Sequence, residues 1–328
     1  MKVLVTGAGG YIGSVLVPML LEVGHEVVAV DRFLFGREVL PQEAHGLTVV
    51  QEDVRRIRTT ILEGVDAVVD LAALSNDPAG ELDPEKTWEI NHRARVRLAR
   101  MAKERGVRRY LLPSSCSVYG FQDGVLDESS PPNPLTTYAK ANLQAEREVL
   151  PLADAHFVVV VIRQATVYGY SPRMRFDLAI NGMVRGFFRN GKIPILRDGT
   201  QWRPFVHVRD TCRAILMLLD APGDRVNAEV FNVGADDQNV QIMALAQRVA
   251  NALGVPFSYE WYGLPDHRSY RVSFRKISER LGYRTVHTIE EGAREVYQAL
   301  REGQVDADDP RTITVSWYKH LLAQGVEL

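Results

Sequence analysis

Cysteine is nearly absent. Cys116 and Cys212 are the only two in 328 residues, too few for a disulfide framework, and neither stands at metal-ligand spacing. A stapled secreted scaffold and a structural zinc module are excluded. No run of about 18 apolar residues occurs, the length a membrane-spanning helix needs. The opening "MKVLVTGAGG" is too short an apolar run for a secretory leader. A cytoplasmic protein with no membrane partner is expected. An excess of one charge is also missing: 39 basic and 41 acidic residues give −2, so nothing global attracts nucleic acid. The basic run "HRARVRLAR" at 92–100 reads as the solvated face of a helix. Internal repeats, low-complexity tracts and a linker between independent domains are lacking too.

What the chain does have is alternation. "KVLV" (2–5), "EVVAV" (26–30), "LTVVQ" (47–51), "DAVVDLA" (66–72), "RYLLP" (109–113) and "FVVVVI" (157–162) are apolar on both faces, as strands buried inside a parallel sheet must be. Between them lie amphipathic helical stretches such as "PEKTWEINHRARVRLARMAKERG", stopping at Gly106. Strict alternation predicts an α/β fold with a doubly wound, Rossmann-type parallel sheet. After about residue 165 the texture changes. "SPRMRFDLAINGMVRGFFRNG", "RDTCRAILMLLDAPG", "NVQIMALAQRVANALG" and "SFRKISERLGY" read as helices, with "KIPIL" and "RPFVHV" as short extended pieces. Residues 1–165 are therefore expected to form the dinucleotide-binding part. Residues 166–328 would form a smaller mixed α/β portion that binds substrate and interleaves with the first.

"VLVTGAGGYIGSVLVPML" orders a strand, a glycine turn and a helix. Gly7, Gly10 and Gly13 would permit a tight turn, close approach to a pyrophosphate and close helix–strand packing, with the helix N-terminus facing the anion. Asp31 ends the second strand, where a carboxylate accepts both ribose hydroxyls and repels a 2′-phosphate. NAD is favoured over NADP, although the adjacent Arg32 argues the other way. Asp53 and Val54 follow the third strand, where an adenine would lie. Ser114 and Ser115 close the fifth strand, and Tyr138 opens the next helix. In such a sheet both face the cofactor cleft, where hydroxyl and phenol can relay a proton to or from a sugar hydroxyl.

At this point the chain resembles the extended short-chain dehydrogenase/reductase family, in its nucleotide-sugar epimerase and dehydratase branch. The resemblance rests on "TGAGGYIG", "DLAALS" (70–75), "IN" (90–91), "SSCSVYG" (114–120), "NPLTTYAKAN" (133–142), "IRQATVYG" (162–169) and "DGTQWRPFVHVRD" (198–210). It implies that Tyr138 is the acid/base with Ser115 as its hydroxyl partner. NAD would be held by Gly7, Gly10, Tyr11, Ile12, Gly13, Asp31, Arg32, Asp53, Val54, Leu71, Ala72, Ala73, Ser114 and Tyr138, with Asn91 supporting the site from behind. A nucleotide-diphosphate sugar would meet Ser75, Ser115, Cys116, Ser117, Thr166, Asn181, Arg203 and Arg268, the two arginines clamping the diphosphate. A homodimer built on helices at 84–105 and 138–150 is also implied.

Departures narrow the activity. Relatives that dehydrate a 4-keto sugar carry an Asp-Glu pair where this chain has Cys116 and Ser117, so elimination lacks its expected acid and base. Thr166 stands for a substrate-binding asparagine and Pro204 for an aspartate. Above all, the family's Tyr-x-x-x-Lys has Asn142 in the lysine position. Lys140 lies almost opposite Tyr138 on a helix and cannot substitute. Asn142 can keep a ribose hydrogen bond but brings no charge. The resulting expectation is an NAD-dependent nucleotide-sugar 4-epimerase. The alternatives are a 4-keto-sugar reductase or dehydrogenase, and a nucleotide-sensing protein without turnover.

Overall fold

The computed structural model describes residues 1–266 and 268–328. The strands are β1 (Lys2–Thr6), β2 (Glu26–Asp31), β3 (Leu47–Gln51), β4 (Ala67–Asp70), β5 (Arg109–Ser115), β6 (Phe121–Leu126) and β7 (Val158–Gln164). After them come β8 (Thr166–Tyr168), β9 (Ile193–Leu196), β10 (Trp202–His207), β11 (Glu229–Val233), β12 (Asn239–Gln241), β13 (Tyr259–Tyr262) and β14 (Ser269–Val272). Seven of them make one sheet in the order β11-β7-β5-β4-β1-β2-β3. Every neighbouring pair in it is parallel.

Both faces of this sheet are buried, which is why its strands read as unbroken apolar runs. In β1 the alternation is direct: Leu4 packs with Val68, Tyr110 and Val161 on one side, while Val3 and Val5 pack with Leu16, Val69 and Leu111 on the other. The order reverses between β1 and β4. Ligand clefts of doubly wound sheets open at such a switch point, beyond the carboxyl ends of the strands. Thr6, Asp31, Asp70, Ser115 and Gln164 are the last residues of β1, β2, β4, β5 and β7, so the strands deliver chemistry to one edge.

The second portion holds a three-stranded sheet, β12-β10-β8, and the pair β13-β9. Chain crossings knit it to the first portion. β11, from residues 229–233, completes the large sheet against β7, and β14 pairs with β6.

One helical reading holds with a change of pitch, and another is corrected. The stretch 84–105 is three joined segments, Pro84–Trp88, a π-helical Glu89–Ala94 and Arg95–Glu104. The helix drawn from residue 171 onward begins only at Ala179 and runs to Asn190. Residues 171–178 instead stay irregular and carry Arg173, Arg175 and Asp177 into the cleft. Among the described residues, no helix is long and apolar enough to cross a membrane.

Candidate active site

One cleft of ≈ 820 Å3 runs along the switch point, from the β1 glycine turn to the loop before β14. At its cofactor end Gly7 has φ +64°, and a Cβ there would lie 2.7 Å from the Leu71 carbonyl carbon. A Cβ on Gly13 would lie 2.3 Å from the Gly7 oxygen. The turn can close this tightly only with glycine. The helix Gly13–Glu22 that follows has no side chain capping its N-terminus. Ser14 and Val15 N–H already donate to the Gly10 and Ile12 carbonyls, at 2.9 and 3.1 Å, so what this helix end offers an anion is its dipole and the close approach the glycines allow.

Asp31 lines the cleft and accepts backbone N–H bonds from Gly9 (3.0 Å) and Phe33 (2.6 Å). Burial pushes its carboxyl above the usual range, while these donors pull it back. Each oxygen keeps a second lone pair for a ribose hydroxyl. Arg32, the residue that argued for NADP, lines the cleft but is already engaged: it bonds the Glu327 carbonyl at 2.5 Å and pairs with Asp53 at 3.7 Å. Asp53 is also clasped by Arg55, at 2.6 Å. Uncapped turn, glycine cradle and free ribose acceptor together fit a dinucleotide such as NAD.

Tyr11, Ile12, Val54, Leu71, Ala72, Ala73, Ser75, Ser114, Ser115, Ser117, Thr166, Arg203 and Arg268 all line the cleft. The residues expected at the site are not all there. Cys116 is 1% exposed and its thiol points to the Arg163 carbonyl, 3.3 Å away, because the short helical turn Cys116–Tyr119 rotates it behind β5. Asn181 is fully buried; its amide ties Gly169 N–H (3.0 Å) to the Tyr11 hydroxyl (3.1 Å) and the Arg175 carbonyl (3.0 Å). It is scaffold, not a substrate contact. Asn91 likewise touches no cleft space. Its amide brackets Leu74, accepting from the N–H at 2.8 Å and donating to the carbonyl at 3.1 Å, which holds the loop after β4. The Ser114 hydroxyl is spent on Glu146, 2.5 Å away.

Tyr138 sits in the first turn of the helix Thr137–Val149, which Thr136 caps by accepting from Ala139 N–H at 3.2 Å. Gly80 makes room for it: a Cβ there would lie 3.0 Å from that of Tyr138. Burial and then the Asp77 carboxylate push the phenol above its ordinary value. Arg95, Arg175 and a hydrogen bond from Ser115 pull it down. Lys140 is solvent-exposed, as the helix periodicity predicts.

Asn142 is 2% exposed yet lines the cleft, with one amide hydrogen and one oxygen lone pair already engaged. Its Nδ2 donates to the Tyr138 carbonyl at 2.9 Å, and its Oδ1 accepts from Arg95 Nη1 at 2.9 Å. An amide carries two donors and two acceptor sites, so one of each remains for the expected ribose hydrogen bond. Arg95, read as part of a solvated basic face, is only 1% exposed. The signal for it was available: once Asn91 is placed inward, a residue four positions on shares its helix face.

At the far end, Arg203 Nη2 and Arg268 Nη2 both reach Asp266 Oδ2 at 2.7 Å, and Arg268 also bonds Asp77. Burial alone would raise the Asp266 carboxyl, but the two arginines hold it below its usual range. Arg173 lies 3.6 Å over the Phe35 ring, and burial lowers its guanidinium to about 10. Arg175 is paired bidentately with Asp177, at 3.1 and 2.9 Å. Ser117 Oγ, Gln164 Oε1 and Gln201 Oε1 line the cleft buried and without a partner among the described residues. Buried polar atoms are ordinarily satisfied, so these three point to a polar ligand between the arginines and Tyr138.

A family model described as the NAD dependent epimerase/dehydratase family matches residues 3–234. The UDP-glucose 4-epimerase of Mycolicibacterium smegmatis is 29% identical over 318 residues, covering 92% of this chain and 99% of its own length. The Bacillus subtilis protein named uncharacterized UDP-glucose epimerase YtcB is 27% identical, covering 89% and 95%. Among solved structures, MoeE5 in complex with UDP-glucose and NAD superposes with a TM-score of 0.82 at 32% identity, covering 93% of this chain and all of that one.

Proposed function

Because the chain belongs to the NAD dependent epimerase/dehydratase family, we infer that it is an NAD-dependent isomerase that inverts C4 of a nucleoside-diphosphate hexose. The observation that carries this reading is the meeting of the Ser115–Tyr138 hydroxyl pair with the Gly7–Asp31 turn in one cleft. NAD held at the Gly7–Asp31 turn would supply the hydride acceptor and donor for C4.

The chain's own residues do the rest. The uncapped helix behind Gly13 holds the pyrophosphate and Asp31 the adenosine ribose. Tyr138 Oη takes the C4 hydroxyl proton as the C–H bond breaks, with the Ser115 hydroxyl bonded to both oxygens, and gives it back after the ring has turned over. Arg203 and Arg268 release Asp266 to grip the diphosphate. Ser117, Gln164 and Thr166 then meet the sugar. Domain roles follow the same division, residues 1–165 for cofactor and 166–328 for sugar nucleotide. The protein works as a cytoplasmic homodimer in this reading.

UDP-hexoses are the first substrates to try, since the Mycolicibacterium smegmatis relative is named a UDP-glucose 4-epimerase. Purified protein is incubated with UDP-, dTDP-, GDP- and CDP-sugars, and anomeric NMR signals are followed beside absorbance at 340 nm. New sugar signals without net absorbance change are expected. Stoichiometric NADH would replace epimerisation with dehydrogenation.

A further inference from the structure

An acid/base tyrosine walled in by protein needs a cation, because burial favours the neutral phenol and an opposite charge nearby favours the phenolate. Position 142, one helical turn beyond Tyr138 and on its face, carries an amide instead. We propose that Arg95 supplies this charge, held against the tyrosine's helix by Asn142, and so positions the proton affinity of Tyr138. The proposal rests on the reading of Tyr138 as the acid/base.

The geometry separates Arg95 from the other charges around the tyrosine. Asp77 comes from the short helix Asp77–Gly80 and is itself bonded to Arg268 and Thr136. Glu81 reaches the first N–H of the tyrosine's helix, at Thr137. Arg175, from the irregular stretch before residue 179, is neutralised by its two-point pair with Asp177. Glu146, about two turns along the same helix, is taken up by Arg163 and Ser114. Lys140 points to solvent.

Arg95 enters from the packed helix Arg95–Glu104, and only its Nε faces a carboxylate, Asp70 Oδ2 at 3.3 Å. Asp70 is shared with donors from Tyr110 and Thr6, each at 2.6 Å. The Nη2 edge of Arg95 goes to neutral carbonyls, of Asp70 and Pro113. That leaves Nη1 directed at Asn142, and Arg95 is itself a wall of the cleft with Tyr138. Asn142 thus relays rather than replaces: its other end holds the Tyr138 carbonyl, so cation and tyrosine are fixed to the same amide. The phenol's own balance of charges agrees, since Arg95 draws it downward.

The test compares the pH dependence of kcat in wild type, Arg95→Gln, Asn142→Lys and the double variant. Arg95→Gln should move the rising limb upward by about one pH unit or more, about tenfold less activity at neutral pH per unit. Asn142→Lys alone should leave the limb in place, because the charge is already present. In the double variant the limb should return towards its wild-type position. If Asp70 left without its partner unfolds Arg95→Gln, the neutral pair Asp70→Asn/Arg95→Gln carries the same comparison.

A second readout needs no turnover. Phenolate absorbance is titrated in each protein without cofactor and corrected with its Tyr138→Phe counterpart; the Tyr138 midpoint should rise in Arg95→Gln. Loss of activity at every pH with an unmoved limb and midpoint would reduce Arg95 to packing. So would an acid shift of a unit or more in Asn142→Lys alone. Retained turnover in Tyr138→Phe would instead sink the acid/base assignment itself.

Discussion

Single residues decide the cofactor and the proton. Asp31 keeps a carboxylate at the ribose position while Arg32 is committed to Asp53 and the Glu327 carbonyl. NAD is therefore expected to bind more tightly than NADP, and comparable calorimetric affinities for the two would refute the electrostatic argument. Gly13 has no room for a methyl group beside the Gly7 and Ala8 oxygens. Gly13→Ala should cost about 1–3 kcal/mol through forced displacement of the turn, seen in urea unfolding, and should abolish NAD binding by the same calorimetry. Tyr138→Phe should remove turnover and leave NAD affinity unchanged. The sign of the pH dependence follows from burial: a phenol above its ordinary value is mostly protonated at neutrality, so kcat rises with pH until the limb set by Tyr138 is passed.

At the scale of elements, the helix Thr137–Val149 must be held in place for Tyr138 to point correctly, and a buried charge pair does this. Glu146 accepts from Arg163 on β7, at 2.7 Å, and from Ser114 on β5. Removing one partner leaves the other charge buried and uncompensated. Glu146→Ala is expected to cost about 3–5 kcal/mol; a loss under 1 kcal/mol in urea unfolding would show that water reaches Arg163. The loop after β4 depends on the π-helical segment, whose extra residue per turn is a local feature often found beside functional sites. Asn91→Ala leaves the buried Leu74 N–H and carbonyl without their amide partner. The expected cost is about 1–3 kcal/mol, with weaker NAD binding because Ala72 and Ala73 lie in the same loop.

On the scale of the whole molecule, the proposed diphosphate clamp joins residues 63 positions apart, Arg203 on β10 and Asp266 before β14. Arg203→Ala should raise the KM for the sugar nucleotide about tenfold or more, the loss of one charge-assisted contact, while NAD affinity stays put. An equal fall in NAD affinity would place Arg203 at the wrong end of the cleft. The helices Arg95–Glu104 and Thr137–Val149 lie side by side, bridged by Arg100 and Glu148 at 3.5 Å, with His92 of the π-helical segment also on Glu148 at 2.7 Å. Light scattering at micromolar concentration should give twice the 36.8 kDa chain mass; a monomer would remove the dimer reading.

The sequence by itself determined the sheet, the glycine turn and the residues at the strand ends. These rest on local rules: two-sided burial makes a continuous apolar run, a tight turn needs glycine, and strand ends face the switch point. It also placed Lys140 outward, from helix periodicity alone. Only the tertiary structure decided which side chains were already spoken for. Cys116 and Asn181 lie in motifs that resemble substrate sites, yet one turn of backbone and one set of buried donors take them out of the cleft. Asn142 has the right chemistry for a ribose, but half of its amide's capacity is taken by Tyr138 and by Arg95, which lies 47 positions away in the chain. Arg95 looked solvated because a basic run has that character on average. Burial beside Asp70, supplied by a different strand, made it the buried cation beside the tyrosine. Pairings of this kind depend on long-range packing, which local pattern does not encode.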